Sequence, residues 1–169
     1  SNYKKQEDLA NTEKQINRFF TFFDNKGSWS IANSSEDPKQ QNAMQRAKQF
    51  RKAELDWMIN TLHTKAQEIE TESKKTRKFQ DYDKADKLHK KSDSYYGKAA
   101  KYYDQFLTSF PKSKGLYEKE FFLAEILSYQ KGNWDKAIKH YTGVMKRDPE
   151  GKYSKESAYK VILCAEEKM

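Results

Sequence analysis

The sequence predicts an all-α protein made of antiparallel helix pairs. Three observations carry that expectation. Apolar residues recur at three- and four-residue spacing over most of the 169 residues, and no stretch alternates with period two. Six glycines and three prolines are too few for the turns that many short strands would need. A block of sixteen residues recurs at a fixed offset of 38, as in arrays of repeated helical units.

The first helix is expected over residues 3–23. Leu9, Ile16, Phe20 and Phe23 fall on one helical face, and Phe19 and Phe22 widen it. Core is the favoured role of this phenylalanine set, ahead of interface. Residues 24–37 have the composition of a loop. Asp37-Pro38 then starts a helix: the aspartate accepts from free amides, and proline fits the first turn, where its missing N–H is no loss.

From Pro38 to about Ser73 a 3–4 alternation runs through Met44, Ala47, Arg51, Leu55, Met58, Leu62, Ala66 and Ile69. Ala43, Phe50 and Trp57 form a second stripe, which suggests contact on two sides. Paired with helix 3–23, this gives an N-terminal helical hairpin over residues 1–73. The pattern continues over 74–110 with a break near Thr76 to Asp81, and Phe110-Pro111 through Gly115 terminates it. Helices over 117–130, 134–147 and 154–168 follow. Residues 74–169 are thus expected to form helix pairs over about 77–110 and 117–147 and a final helix, in which Val161, Ile162 and Leu163 would be left partly exposed.

Composition narrows the class. Charged residues are 34% and apolar ones 36% of the chain, with a mean hydropathy of −1.16, and no run approaches the ~18 apolar residues of a membrane span. Aromatic residues at 14% argue against disorder. The lone Cys164 excludes an internal disulfide framework and a multi-cysteine zinc site, and its apolar run reads as a buried packing position. The chain opens Ser-Asn-Tyr, which reads as a trimmed chain whose targeting information has been removed.

The repeat is the strongest signal. Tyr96, Ala99, Tyr103 and Pro111 align with Trp134, Ala137, Tyr141 and Pro149 at the 38-residue offset. A small alanine lets two helices approach closely. The aromatic four residues later lies one turn on along the same face, and the proline ends the helix so that the chain can reverse. Phe121, Ala124, Gly132, Trp134, Ala137, Tyr141 and Pro149 stand where the tetratricopeptide repeat has its signature residues, and this part of the chain resembles that family. Glu125 and Ser128 depart from its usual glycine and aromatic. Leu123-Ala124-Glu125 and the longer link after Pro111 resemble the bacterial envelope subtype, which includes the outer-membrane assembly lipoprotein BamD and the coordinator of the Tol–Pal system. The resemblance covers about residues 95–169. It implies a right-handed superhelix of stacked helix pairs, a scaffold that binds protein or peptide segments, and a periplasmic or outer-membrane-associated location, with a cytoplasmic one as the alternative.

In such proteins the first helix of each unit lines the inner groove. Here that is helix 117–130, whose Lys119, Phe122, Ile126 and Tyr129 are the candidate partner-binding residues. Phe122 and Ile126 replace the Lys and Asn that grip a terminal carboxylate in the chaperone-tail-binding members, so an apolar peptide or helix is the expected partner. Burial of the same residues by helix 38–73 or by further repeats outside this sequence is an equally open alternative.

No Gly-rich phosphate loop, His-Glu-x-x-His pattern or paired cysteine spacing occurs. No catalytic, cofactor-binding or metal site and no small-molecule substrate is expected, although a triad assembled in space is invisible to sequence. His63, His89 and His140 read as surface residues. The net charge of +8 is concentrated in residues 74–101, with ten basic and four acidic side chains. This segment could bind nucleic acid or acidic lipid. Against that, Asp81, Asp83, Asp86 and Asp93 are interleaved, and nine of the ten cations are Lys rather than the Arg suited to bidentate phosphate contacts. A solvated helix face is the favoured reading, and membrane contact is expected only by association or through an anchor outside this sequence.

Overall fold

The computed structural model describes residues 2–23, 27–33, 37–129 and 132–169, with side chains from Leu9 onward. The described residues are helical, with no strand among them: α1 (Asn2–Phe23), α2 (Ser28–Ala32), α3 (Pro38–Lys78), α4 (Tyr82–Ser109), α5 (Leu116–Tyr129), α6 (Trp134–Arg147) and α7 (Ser154–Glu166). The all-α fold class is therefore the one the apolar spacing predicts.

The helix ends follow local chemistry. At the start of α3 the Asp37 carboxylate accepts from the Lys39 amide at 2.8 Å. The break expected near residues 76–81 is a turn through Gln80, whose φ of 63° ends α3. Asp81 then caps α4 by accepting from the Lys84 amide at 3.2 Å. Pro111 prevents continuation of α4 beyond Phe110. Gly115 and Gly132 take the positive φ values, 83° and 91°, that let the chain enter α5 and α6.

Two expectations need correction. The segment 24–37 is not all loop: Ser28–Ala32 forms α2, while residues 24–26 and 34–36 lie outside the described set. Trp29 packs on Phe23 at 4.6 Å between ring centroids, and the buried Ser30 hydroxyl donates to the Phe23 carbonyl at 3.2 Å. Packing on α1 thus outweighs a loop-like local composition. Nor do residues 77–110 contain a helix pair. α4 is one helix from Tyr82 to Ser109, and its antiparallel partner is the later part of α3.

The chain forms two compact units, residues 1–58 and 59–169. Ser73, the end of the N-terminal region inferred from sequence, lies inside α3. The first unit holds α1, α2 and α3 up to Met58. Ile16 and Phe20 are buried there, Phe19 meets Phe50 edge-on at 4.9 Å, and the Arg51 guanidinium lies 5.5 Å from the Phe20 ring centre. Phe22, Phe50 and Trp57 remain exposed, so the second stripe on α3 is only partly covered.

The second unit holds the rest of α3 and α4 to α7. Along the α3/α4 seam, Ser92 donates to the Ala66 carbonyl at 3.0 Å and Ser73 to the Ala85 carbonyl at 2.7 Å. One contact moves up α4 as the other moves down α3, so the helices are antiparallel. Small side chains at Ala66, Ala85, Ser73 and Ser92, all buried, permit that approach. On α6, Ala137, Tyr141 and Val144 fall at i, i+4 and i+7 and are all fully buried. Ser157 and Cys164 do the same for α7 at i and i+7. Burial of a large side chain such as Phe106 contributes on the order of 1.5–3 kcal/mol relative to exposure.

Candidate functional site

Helices α3, α4 and α5 line a cleft of about 290 Å3. Its lining follows helical period. α3 presents His63, Gln67, Glu70 and Lys74, α4 presents His89, Asp93 and Tyr96, and α5 presents Phe122, Ile126 and Tyr129 together with Phe121 and Glu125. The α5 side is mainly apolar and the α3/α4 side mainly polar.

Phe122 is half-buried, its ring meeting the His63 ring edge-on at 5.6 Å. Ile126 is buried, whereas Tyr129 is 78% exposed. These three share the cleft with Tyr96 and Phe121. Lys119 is not part of it; its ammonium lies 4.8 Å from the Phe106 ring centre. Of the other repeat residues, Ala99, Tyr103, Ala124, Ala137 and Tyr141 are buried in helix contacts, and Trp134 opens α6 half-buried. Gly132 makes the turn before α6, and Pro111 and Pro149 are exposed just past the ends of α4 and α6.

The ionisable groups of the cleft are tied to neighbours. His63 Nδ1 is 2.8 Å from the Tyr103 hydroxyl and Nε2 is 3.3 Å from the Gln67 amide. Burial lowers the His63 pKa, which keeps the ring neutral at pH 7, and burial raises that of Tyr103, so the phenol keeps its proton. His89 bridges the α3/α4 mouth, 2.9 Å from Glu70 and 3.7 Å from Asp93. The Glu70 hydrogen bond is the main reason its pKa is raised; partial burial opposes it, and the Asp93 charge adds to it. Partial burial alone would push the Glu70 carboxyl up. The His89 hydrogen bond and the charges of His89 and Lys74 outweigh it and hold Glu70 below its usual range.

Histidine placement corrects the sequence reading. His89 is exposed, but His63 packs among the rings of Tyr96, Tyr103 and Phe122, and His140 is only 16% exposed, 3.5 Å from Glu120. Each lies on a helix face rich in charge, and only the facing helix reveals the burial.

Two carboxylates on α5 escaped sequence reasoning. Glu120 is buried, accepts from Arg147 Nε and lies beside His140. It faces Gly143, where a methyl group would collide with the carboxylate. Burial would raise its pKa, but the hydrogen bonds of His140 and Arg147 and their charges lower it overall. Glu125 accepts from the Tyr141 hydroxyl and lies 3.3 Å from Lys160. Burial, reinforced by this hydrogen bond, raises the Tyr141 pKa. The available sequence signal was a glutamate on either side of the apolar run Phe121-Phe122-Leu123-Ala124, with cations on α6 and α7.

In the basic segment, Arg77 pairs with Asp86 and Lys74 with Glu70. Among the described residues no cluster of His, Cys, Asp and Glu could hold a metal ion, and no helix is long and apolar enough to cross a membrane. No protein-family model, no curated protein and no solved structure matches this chain.

Proposed function

We propose that the chain is a non-enzymatic scaffold of tetratricopeptide-like helix pairs that binds protein segments through the α3/α4/α5 cleft. Several features support stacked, equivalent pairs. Ala99 and Ala137 are both completely buried. Tyr103 and Tyr141 are both buried, and each hydroxyl reaches the helix before it, to His63 on α3 and Glu125 on α5. α7 lies antiparallel to α6, with Ser154 at Asp148 and Lys168 at Asp135. On α7, Tyr159 and Ile162 are exposed, whereas Phe121 and Ala124, 38 residues earlier on α5, are buried. That is the pattern of an outer helix in a stack, because each unit buries its face only against the next.

The observation that carries the binding reading is the grouping of Tyr96, Phe122, Ile126 and Tyr129 in one concave surface. An apolar side chain of an incoming segment would lie against Phe122 and Ile126, with Tyr129 supplying large rigid contact area at the mouth. The nearby ionisable groups already hold one another, as His89 does with Glu70 and Glu125 does with Tyr141 and Lys160. This suits a binding surface better than proton transfer. A place in a bacterial cell-envelope assembly rests on the subtype resemblance alone. Affinity capture from a bacterial envelope extract tests the reading. Phe122→Asp with Tyr129→Asp should lower capture of protein partners by about ten-fold or more, with the circular dichroism spectrum preserved. Undiminished capture retires the cleft as the docking site.

A further inference from the structure

A second concave surface, of about 430 Å3, lies between α4 and α6 with a different face of α5 at its base. Its floor is apolar and small: Leu123 and Leu127 from α5, and Gly97 and Ala100 from α4. Its rim is basic. Lys101 on α4 and Lys136 and Lys139 on α6 stand around it, with Asp104 as the opposing carboxylate. All three lysines are exposed, and none has an ion pair or side-chain hydrogen bond with a described residue. His140, also at the rim, is directed to the buried Glu120.

This arrangement differs from ordinary surface charge in two respects. In the α3/α4/α5 cleft the one lining lysine, Lys74, is matched internally by Glu70. Here three ammonium groups are left unmatched around one depression, and their repulsion favours an anionic occupant. The lysines also sit on two helices. Lys136 and Lys139 share one side of α6 at i and i+3, and Lys101 faces them from α4.

We propose that this groove is a second docking site, distinct from the α3/α4/α5 cleft, for an acidic protein segment that carries carboxylates on either side of an apolar side chain. The carboxylates pair with Lys101, Lys136 and Lys139, and the apolar side chain lies over Leu123 and Leu127. Three features favour a peptide over the other anionic macromolecules. No Phe, Tyr or Trp ring lines the groove to stack a base, and the His140 ring is directed to Glu120. The cations are lysines, without the planar fork that grips phosphate in two places. The surface is concave, so it accepts a protruding chain more readily than a flat bilayer.

The test uses the full chain and a fluorescein-labelled peptide of alternating Glu and Leu, read by anisotropy. Its control peptide has Gln in place of each Glu. The acidic peptide should bind at about 50 mM salt and weaken steeply by about 200 mM, as an ionic contact does. Lys136→Glu with Lys139→Glu should weaken it by about ten-fold or more. Lys136→Arg with Lys139→Arg should retain binding, and Phe122→Asp with Tyr129→Asp should leave it unchanged. Equal binding of the Gln peptide, or undiminished binding by the charge-reversed variant, overturns the proposal. So does tighter, lysine-dependent binding of labelled oligothymidylate or of phosphatidylserine vesicles. Loss of peptide binding in the Phe122/Tyr129 variant would place the peptide in the other cleft and refute the second site, without touching the scaffold reading.

Discussion

The α3/α4 and α5/α6 seams solve the same packing problem with opposite chemistry. Both join antiparallel helices, and both place a buried tyrosine at the contact, Tyr103 in one and Tyr141 in the other. In the first seam the buried polar groups include serine hydroxyls that donate to backbone carbonyls. In the second they include a buried carboxylate, Glu120, held by Arg147 and His140 on α6. A hydroxyl on a carbonyl is locally satisfied and neutral. A buried carboxylate is costly unless its cations stay in place. The serine contacts of the first seam should therefore tolerate truncation and pH change, and the carboxylate of the second should tolerate neither.

The largest difference is expected from truncating the buried polar group of each seam. Glu120→Ala removes the carboxylate that holds Arg147 and His140 and leaves a gap opposite Gly143. Because Arg147 is partly exposed and can turn to water, the loss should be about 3 kcal/mol, the low end for breaking a buried pair. Ser92→Ala removes a hydroxyl from a carbonyl that lies within the helix ladder of α3, so it should cost only about 1 kcal/mol. Urea unfolding of the two variants measures the gap. Equal losses would mean that the ionic seam is no more demanding than the neutral one.

Acidification acts on both seams. The folded-state pKa of Glu120 is lowered, so its contribution is fully present above the unfolded value near 4.5 and is lost as pH falls through the folded value. Glu70 is lowered too and acts with the same sign. His89 is raised: its contribution is present below about 6.5 and disappears as pH rises through the folded value, although its exposure keeps the effect small. His63 is lowered by burial, so its neutral form favours folding above about 6.5 and that stability declines as pH drops. The expected profile falls below about pH 5, and Glu120→Gln should make that acid limb shallower. An unchanged limb in the variant would assign acid sensitivity to other carboxylates.

How far the sequence reaches is clear from the same residues. Helix ends were legible wherever one local group sets them: Asp37-Pro38 for α3, Phe110-Pro111 for α4, and Gly132 before α6. Buried alanines and tyrosines at the 38-residue offset were legible because a repeat displays its own packing twice. What escaped depends on partners distant in sequence. Glu120 meets Arg147 across 27 residues and His63 meets Tyr103 across 40, so neither burial follows from local pattern. α2 was hidden because Trp29 and Ser30 dock on Phe23 of another helix. Three of the four proposed docking residues share one cleft because i, i+4 and i+7 positions face together; Lys119, three residues before Phe122, has the same helical spacing but its long side chain carries the ammonium to the Phe106 ring.

The smallest effect concerns the contact that neither kind of chemistry satisfies. Ser157 on α7 is fully buried, and its hydroxyl has no hydrogen-bond partner among the described residues. The serines of the α3/α4 seam recover their desolvation cost through carbonyls; Ser157 does not. Its retention leaves a buried polar atom where an alanine methyl group would remove the cost at nearly constant volume. Alanine also has the higher helix propensity. Ser157→Ala should therefore stabilise the chain by about 1 kcal/mol and raise the urea midpoint without changing the unfolding slope. A loss of stability would show that the hydroxyl does find a partner in solution, such as a buried water, and would move the α6/α7 contact into the same satisfied class as Ser73 and Ser92.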